Sequence, residues 1–229
     1  MRASTPGVHC IRVVDAAGFD HLDAAFYQAS AAGFSALGFS MLADVQDMSV
    51  CEGTGIDTFA RTLIGGDGSV TGTILHACPR QGIPGRLRAV VLGDDSPRVI
   101  TAYTRFSDGT TLATTTEPPA AALPLAVTDV CMRVVPGTAP RDLVAGHIAG
   151  VKRHLAARPG TRIRPVRNLV DDLQALNEVG ERRRQLLQQE GWVKQEYVES
   201  RVGAQDAAMV QAMLLKMLRE ERARAGATA

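Results

Sequence analysis

The chain has no run of 18 uninterrupted apolar residues, and its most apolar short stretch, residues 120–127, contains Pro124. A helix needs about 20 such residues to cross a bilayer, so the sequence reads as a chain without a membrane span. Its first residues, M-R-A-S-T-P-G, lack the charged head and long apolar core of a secretory signal, and the expected compartment is the cytoplasm. There is no C-x-x-C: Cys10, Cys51, Cys78 and Cys131 are scattered, and the expectation is reduced, mostly buried thiols. Lysine is almost missing, with Lys152, Lys194 and Lys216 set against 22 arginines, a skew that reads first as codon bias. No G-x-x-x-x-G-K-[ST], no G-x-S-x-G and no third glycine after Gly53 and Gly55 are found, which argues against an NTPase, an α/β-hydrolase and a Rossmann dehydrogenase. No internal repeat is visible.

What is present is a globular composition. The 229 residues are 45% hydrophobic and 21% charged, with a formal charge of +1, so bulk charge selects no partner. The texture changes near residue 136. Before it, short β-prone runs alternate with Gly-, Asp- and Pro-bearing turns; after it, Ala-, Leu- and Arg-rich segments have helical spacing. The predicted fold class is α+β: an antiparallel meander of about seven or eight strands over residues 1–136 with one early helix, then a helical region over 137–229. Strands are expected at 8–14, 35–42, 58–64, 69–78, 86–92, 99–106, in the T-T-L-A-T run after Gly109 and at 127–135, with hairpin turns at Gly65–Gly68 and Asp108–Gly109. Asp20 is expected to cap the early helix and Thr138 the first C-terminal one, which Arg158-Pro159-Gly160 stops. Residues 43–57 read as an acidic loop. The second C-terminal helix carries the stripe Val166, Leu169, Val170, Leu173, Leu176 and Val179, and a last helix the stripe Met209, Val210, Met213, Leu214, Met217 and Leu218. Threonines such as Thr71, Thr73, Thr110, Thr114 and Thr116 suit a half-exposed sheet surface.

The run F-S-D-G-T-T-L-A-T-T at 106–115 resembles a hairpin of bacterial proteins that carry no assigned function, and G-F-S-A-L-G at 33–38 is similar to a segment of theirs. The resemblance spans residues 20–157 and implies no activity, cofactor or catalytic residue.

Charge is divided unevenly along the chain. Residues 1–140 hold 9 basic and 13 acidic side chains; residues 141–229 hold 16 and 11. Between Asp142 and Asp171 there is no acidic residue, yet Lys152, Arg153, Arg158, Arg162, Arg164 and Arg167 fall there. Three readings stand: a solvated helix end with its connector, a segment contacting acidic residues of the sheet such as Asp44, Asp47, Glu52, Asp94 or Asp95, or an anion site. Nucleic acid is disfavoured, because no aromatic is interleaved with these cations and the pI is 7.7.

Reactive constellations are sparse. His76 and Cys78 are two apart on one strand, where they share a face but point in parallel; a core cysteine beside a half-buried histidine is the simpler reading. His147 and His154 are seven apart, about 10.5 Å along a helix, too far for one metal ion, and read as surface or interface residues. Asp20, His21 and Asp23 are explained by capping. No catalytic residue, metal ligand or cofactor is therefore assigned. The preferred reading is a non-enzymatic protein-interaction or assembly module that uses its C-terminal helices, including Met209, Met213 and Met217, toward a protein partner or a second copy of itself. The alternative is a small-ligand binder or enzyme with a pocket between sheet and helix, walled by Phe26, Phe39, Phe59 and Tyr103, with His76 as its polar group.

Overall fold

The structure, a computed structural model, describes residues 10–19, 22–48, 51, 56–76, 78–79, 97–117 and 130–189. Asp23 opens α1 (Ala24–Ser35), its carboxylate accepting the Phe26 amide at 2.9 Å. The cap is thus Asp23; Asp20 lies outside the described residues. Among the described residues three α-helices accompany a seven-stranded sheet, and the fold is α+β. Its strands are β1 (Ile11–Val13), β2 (Phe39–Asp47), β4 (Ala60–Gly65), β5 (Thr71–His76), β7 (Arg98–Arg105), β8 (Thr111–Thr115) and β9 (Val130–Arg133), in the order β1-β2-β4-β5-β7-β8-β9. All neighbours are antiparallel except β8 and β9, which run parallel, a departure from the expected meander. A parallel partner cannot be reached by a tight turn, and residues 116–129 separate the two strands. A small ladder, β3 (Ile56–Asp57) with β6 (Cys78–Pro79), keeps the register of the β4–β5 hairpin, Asp57 facing Cys78 as Ala60 faces Leu75.

Residues 43–47, expected in a loop, are strand. Their acidity misleads because it is matched in register: Asp44 lies opposite Arg61 and receives a bidentate ion pair at 2.8 Å, and Gln46 reaches Asp57 at 3.0 Å.

α1 and α2 (Pro140–Ala157) pack on one face of the sheet, α1 over β2 and β5, α2 over β7 and β8. Phe34, Leu63, Ile74, Ile100, Ala102 and Leu143 form the main core; Phe106, Leu112 and Val151 form a second cluster. Each fully buried large side chain stabilises by about 1.5–3 kcal/mol. Gly72 lets the Phe34 ring sit close to the sheet, since a Cβ there would stand 3.0 Å from the ring. Thr138 does not cap α2; Ala139 stands at the cap, Pro140 fills the first turn, and the Thr138 hydroxyl donates to the Val135 carbonyl.

On the opposite face, Thr62, Thr73, Thr101 and Thr115 stand in one cross-strand row. Of the threonines expected half-exposed, Thr73 and Thr110 are so, but Thr71, Thr114 and Thr116 are buried, as are Thr62, Thr101 and Thr115. Their hydroxyls are satisfied internally, as in the Thr101–Thr115 contact of 2.8 Å and the Thr116 hydroxyl oxygen, which accepts the Ile100 amide.

Candidate interaction surface and basic cleft

The two hairpin tips repeat one device. In Asp67-Gly68-Ser69 and Asp108-Gly109-Thr110 the carboxylate accepts the amide two residues on (2.9 Å in each) and its hydroxyl (2.7 Å in each), while the glycine takes a φ of 70° or 83°. These bonds hold the Asp67 carboxyl below its ordinary range. The Thr110 hydroxyl and amide, with help from Arg158, hold Asp108 at about 2.

The arginine-rich connector crosses both tips. The Ser107 amide donates to the Arg162 carbonyl, the Arg164 amide to the Arg105 carbonyl and the Val166 amide to the Gly68 carbonyl, at 2.8 to 2.9 Å. Arg158 pairs with Asp108 at 3.1 Å and Arg164 with Glu178 at 3.0 Å. The connector therefore contacts the sheet as one of the three readings required, but through Asp108; Asp44 is committed to Arg61. Lys152 and Arg153 are exposed on α2, Arg153 reaching the Met132 sulfur, and the Arg162 and Arg167 side chains are also exposed.

The connector leads the chain off the α2 face into α3 (Leu169–Gln189). Asn168 accepts the Asp171 amide and Asp171 accepts the Arg167 amide, a reciprocal cap that sets the first turn. α3 does not use its whole predicted stripe inward. Asp172, Ala175 and Val179 are buried, Leu169, Leu173 and Leu176 are half-buried, and Val170 is 73% exposed. Asp172 docks the helix by pairing with Arg105 of β7 at 2.7 Å. Arg105 is 9% exposed and also donates to the Thr71 hydroxyl. Sequence reasoning missed Arg105 and Asp172; the signal was an arginine inside the β-prone run 98–106, at a position that alternates with Thr101 and Tyr103.

A cleft of about 250 Å³ opens between the end of β7, the connector and the first turns of α3, lined by Arg105, Arg164, Pro165, Val166, Arg167, Asp171 and Ala175. Of the six cations singled out, the fold brings Arg164 and Arg167 here and leaves Lys152, Arg153, Arg158 and Arg162 elsewhere. Met209, Met213 and Met217 lie outside the described residues.

The aromatic walls of the alternative pocket pack as core instead of lining one cavity. Phe26 and Phe59 pack on Tyr27, Phe39 packs on Phe34, and Tyr103 belongs to the opposite face. His76 is committed locally: its Nδ1 accepts the Asp23 amide at 3.2 Å and its own amide donates to the Tyr27 hydroxyl at 2.7 Å. An Nδ1 that accepts leaves the ring proton on Nε2, the wrong tautomer for a metal ligand at that nitrogen. Burial drives the Tyr27 phenol upward, so it stays a neutral donor to the Phe59 carbonyl.

His147, expected at the surface or in an interface, is a core residue between α2 and the sheet. It is 0% exposed, and its ring bridges Thr104 (2.9 Å) and Thr114 (3.0 Å). Because the Thr104 hydroxyl donates to the Ser69 carbonyl, His147 Nε2 carries the proton and Nδ1 accepts from Thr114. Burial lowers its pKa to about 4, so it is neutral at pH 7. His154 is half-buried, stacked on Phe106 at 4.2 Å. Among the described residues, no group of three or more His, Cys, Asp or Glu side chains is arranged to hold a metal ion, and no helix is long and apolar enough to cross a membrane.

Comparison with protein-family models, with curated proteins and with solved structures gives no match.

Proposed function

We propose that this chain is a non-enzymatic interaction or assembly module that engages a protein partner, or a second copy of itself, through its C-terminal helices. One observation carries the reading. α3 turns its small and charged residues, Asp172, Ala175 and Val179, inward and leaves Leu169, Val170, Leu173 and Leu176 half-buried or exposed. A helix that needed only to cover its own sheet would place its largest apolar side chains inward. Leucines at i, i+4 and i+7 are the anchors by which an amphipathic helix fills a groove. The later stripe at Met209, Met213 and Met217 extends the same pattern in sequence, with side chains that adapt to varied surfaces. The compartment assigned is the cytoplasm, because four scattered cysteines in 229 residues follow no disulfide framework.

Val170→Glu tests this without touching the core. The full chain, purified from its native background with and without chemical crosslinking, should carry a stoichiometric partner or crosslink to itself, and Val170→Glu should remove most of that product while circular dichroism is unchanged. Equal crosslinking of both proteins, or no product from either, refutes the reading.

A further inference from the structure

We infer that the cleft at the root of α3 binds a small oxyanion, with Arg105, Arg164 and Arg167 as its cationic wall. Arg105 of β7 and Arg164 and Arg167 of the connector line one cavity. At about 250 Å³ the space is smaller than a drug-sized pocket and suits a compact solute such as phosphate or a short carboxylate. One carboxylate, Asp171, shares the lining, and its Oδ2 already accepts the Arg167 amide. Asp172 and Glu178 each hold one arginine in place, which orients the forks and offsets their charge.

Donors remain for an anion. Arg105 spends Nη1 on Thr71 and Nη2 on Asp172, and its Nε, like the adjoining Asp172 Oδ1, is buried without a hydrogen-bond partner, so it contributes charge to the cleft and not a free donor. Arg167 makes no ion pair among the described residues and has its full fork available. The first turn of α3 adds the positive end of its dipole. Planar forks of this kind recognise carboxylate and phosphate alike, so the shared oxyanion chemistry is what the site assigns. This inference stands apart from the association of α3, since the cleft lies between elements of one chain.

Isothermal titration of the full chain at constant ionic strength, with inorganic phosphate and separately with malonate, tests it. At least one anion should bind saturably at one site with a Kd of about 1 mM or lower. Arg167→Ala, an exposed change, should weaken that binding about tenfold or more without altering the melting temperature of the unliganded protein. Arg153→Ala, on α2 and outside the lining, should leave it unchanged. Phosphate alone would define a tetrahedral site, malonate alone a planar one, and both a general oxyanion site. Failure of both to saturate below about 50 mM overturns the inference. So does equal weakening by Arg153→Ala and Arg167→Ala, which would show diffuse charge rather than a site.

Discussion

Under α1 and α2 the sheet presents Leu63, Ile74, Ile100, Ala102 and Leu112, and the imidazole that α2 buries there, His147, is capped at both nitrogens. On the reverse, the same strands present Thr62, Thr73, Thr101, Thr115 and Arg105, and the helix that meets Arg105 does so with a carboxylate. The first face is held by apolar area, which is non-directional and tolerant of small shifts. The second depends on hydrogen bonds and one ion pair, which are specific in geometry and costly when half made. α2 is therefore an integral part of the core, whereas α3 is a polar-docked helix with apolar area to spare.

The comparison breaks most visibly at Arg105. Arg105→Ala strands the buried Asp172 carboxylate and should lower stability by about 3–5 kcal/mol in urea unfolding. Arg105→Met with Asp172→Leu, which removes both charges, should recover most of that loss. If the single change is as mild as the double one, α3 is not docked by the pair.

His147 probes the apolar face through pH. Its folded pKa of about 4 lies below the ordinary 6.5, so the unfolded chain binds the proton more readily between those values. The contribution is complete above pH 6.5 and is lost as pH falls toward 4, by up to about 3 kcal/mol. Unfolding free energies measured from pH 7 to pH 4 should show this slope, and His147→Gln should flatten it. A slope of the same size in both proteins would place the titrating group elsewhere.

Gly68 probes the seam between the faces. Its φ of 70° and the Val166 carbonyl that a Cβ would meet both oppose a side chain. Gly68→Ala should cost about 2–3 kcal/mol and raise hydrogen exchange at Val166, whose amide bonds the Gly68 carbonyl. At the other tip the smallest effect is expected from Arg158→Ala, which removes the exposed pair with Asp108 and should leave the unfolding midpoint nearly unchanged at neutral pH.

Much of this architecture could be read from residue order. Period-two alternation and the Gly-Gly-Asp-Gly and Asp-Gly turns located β4, β5, β7 and β8, and Pro140 with Arg158-Pro159-Gly160 bounded α2, because those signals act within a few residues of themselves. What was hidden depends on partners distant in sequence. Asp44 looks like a loop residue until Arg61 stands opposite it, His147 looks exposed until Thr104 and Thr114 meet it, and Arg105 gains meaning from Asp172, 67 positions away. The basic connector was visible as composition, but its route over the two hairpin tips is made of backbone bonds, which side-chain patterns do not report. The leucine stripe of α3 was visible as well; that it turns partly away from the sheet was not, because periodicity identifies an apolar face without saying what it meets.

The account rests on α3 offering that face to another molecule. Its most direct test is the mass of the purified chain by light scattering across about 1 to 500 µM, alone and with any protein that accompanies it from the cell. A mass above the 24.3 kDa of one chain, returning to that value in Val170→Glu, is the predicted result. A constant 24.3 kDa for both proteins, with nothing accompanying either, contradicts it.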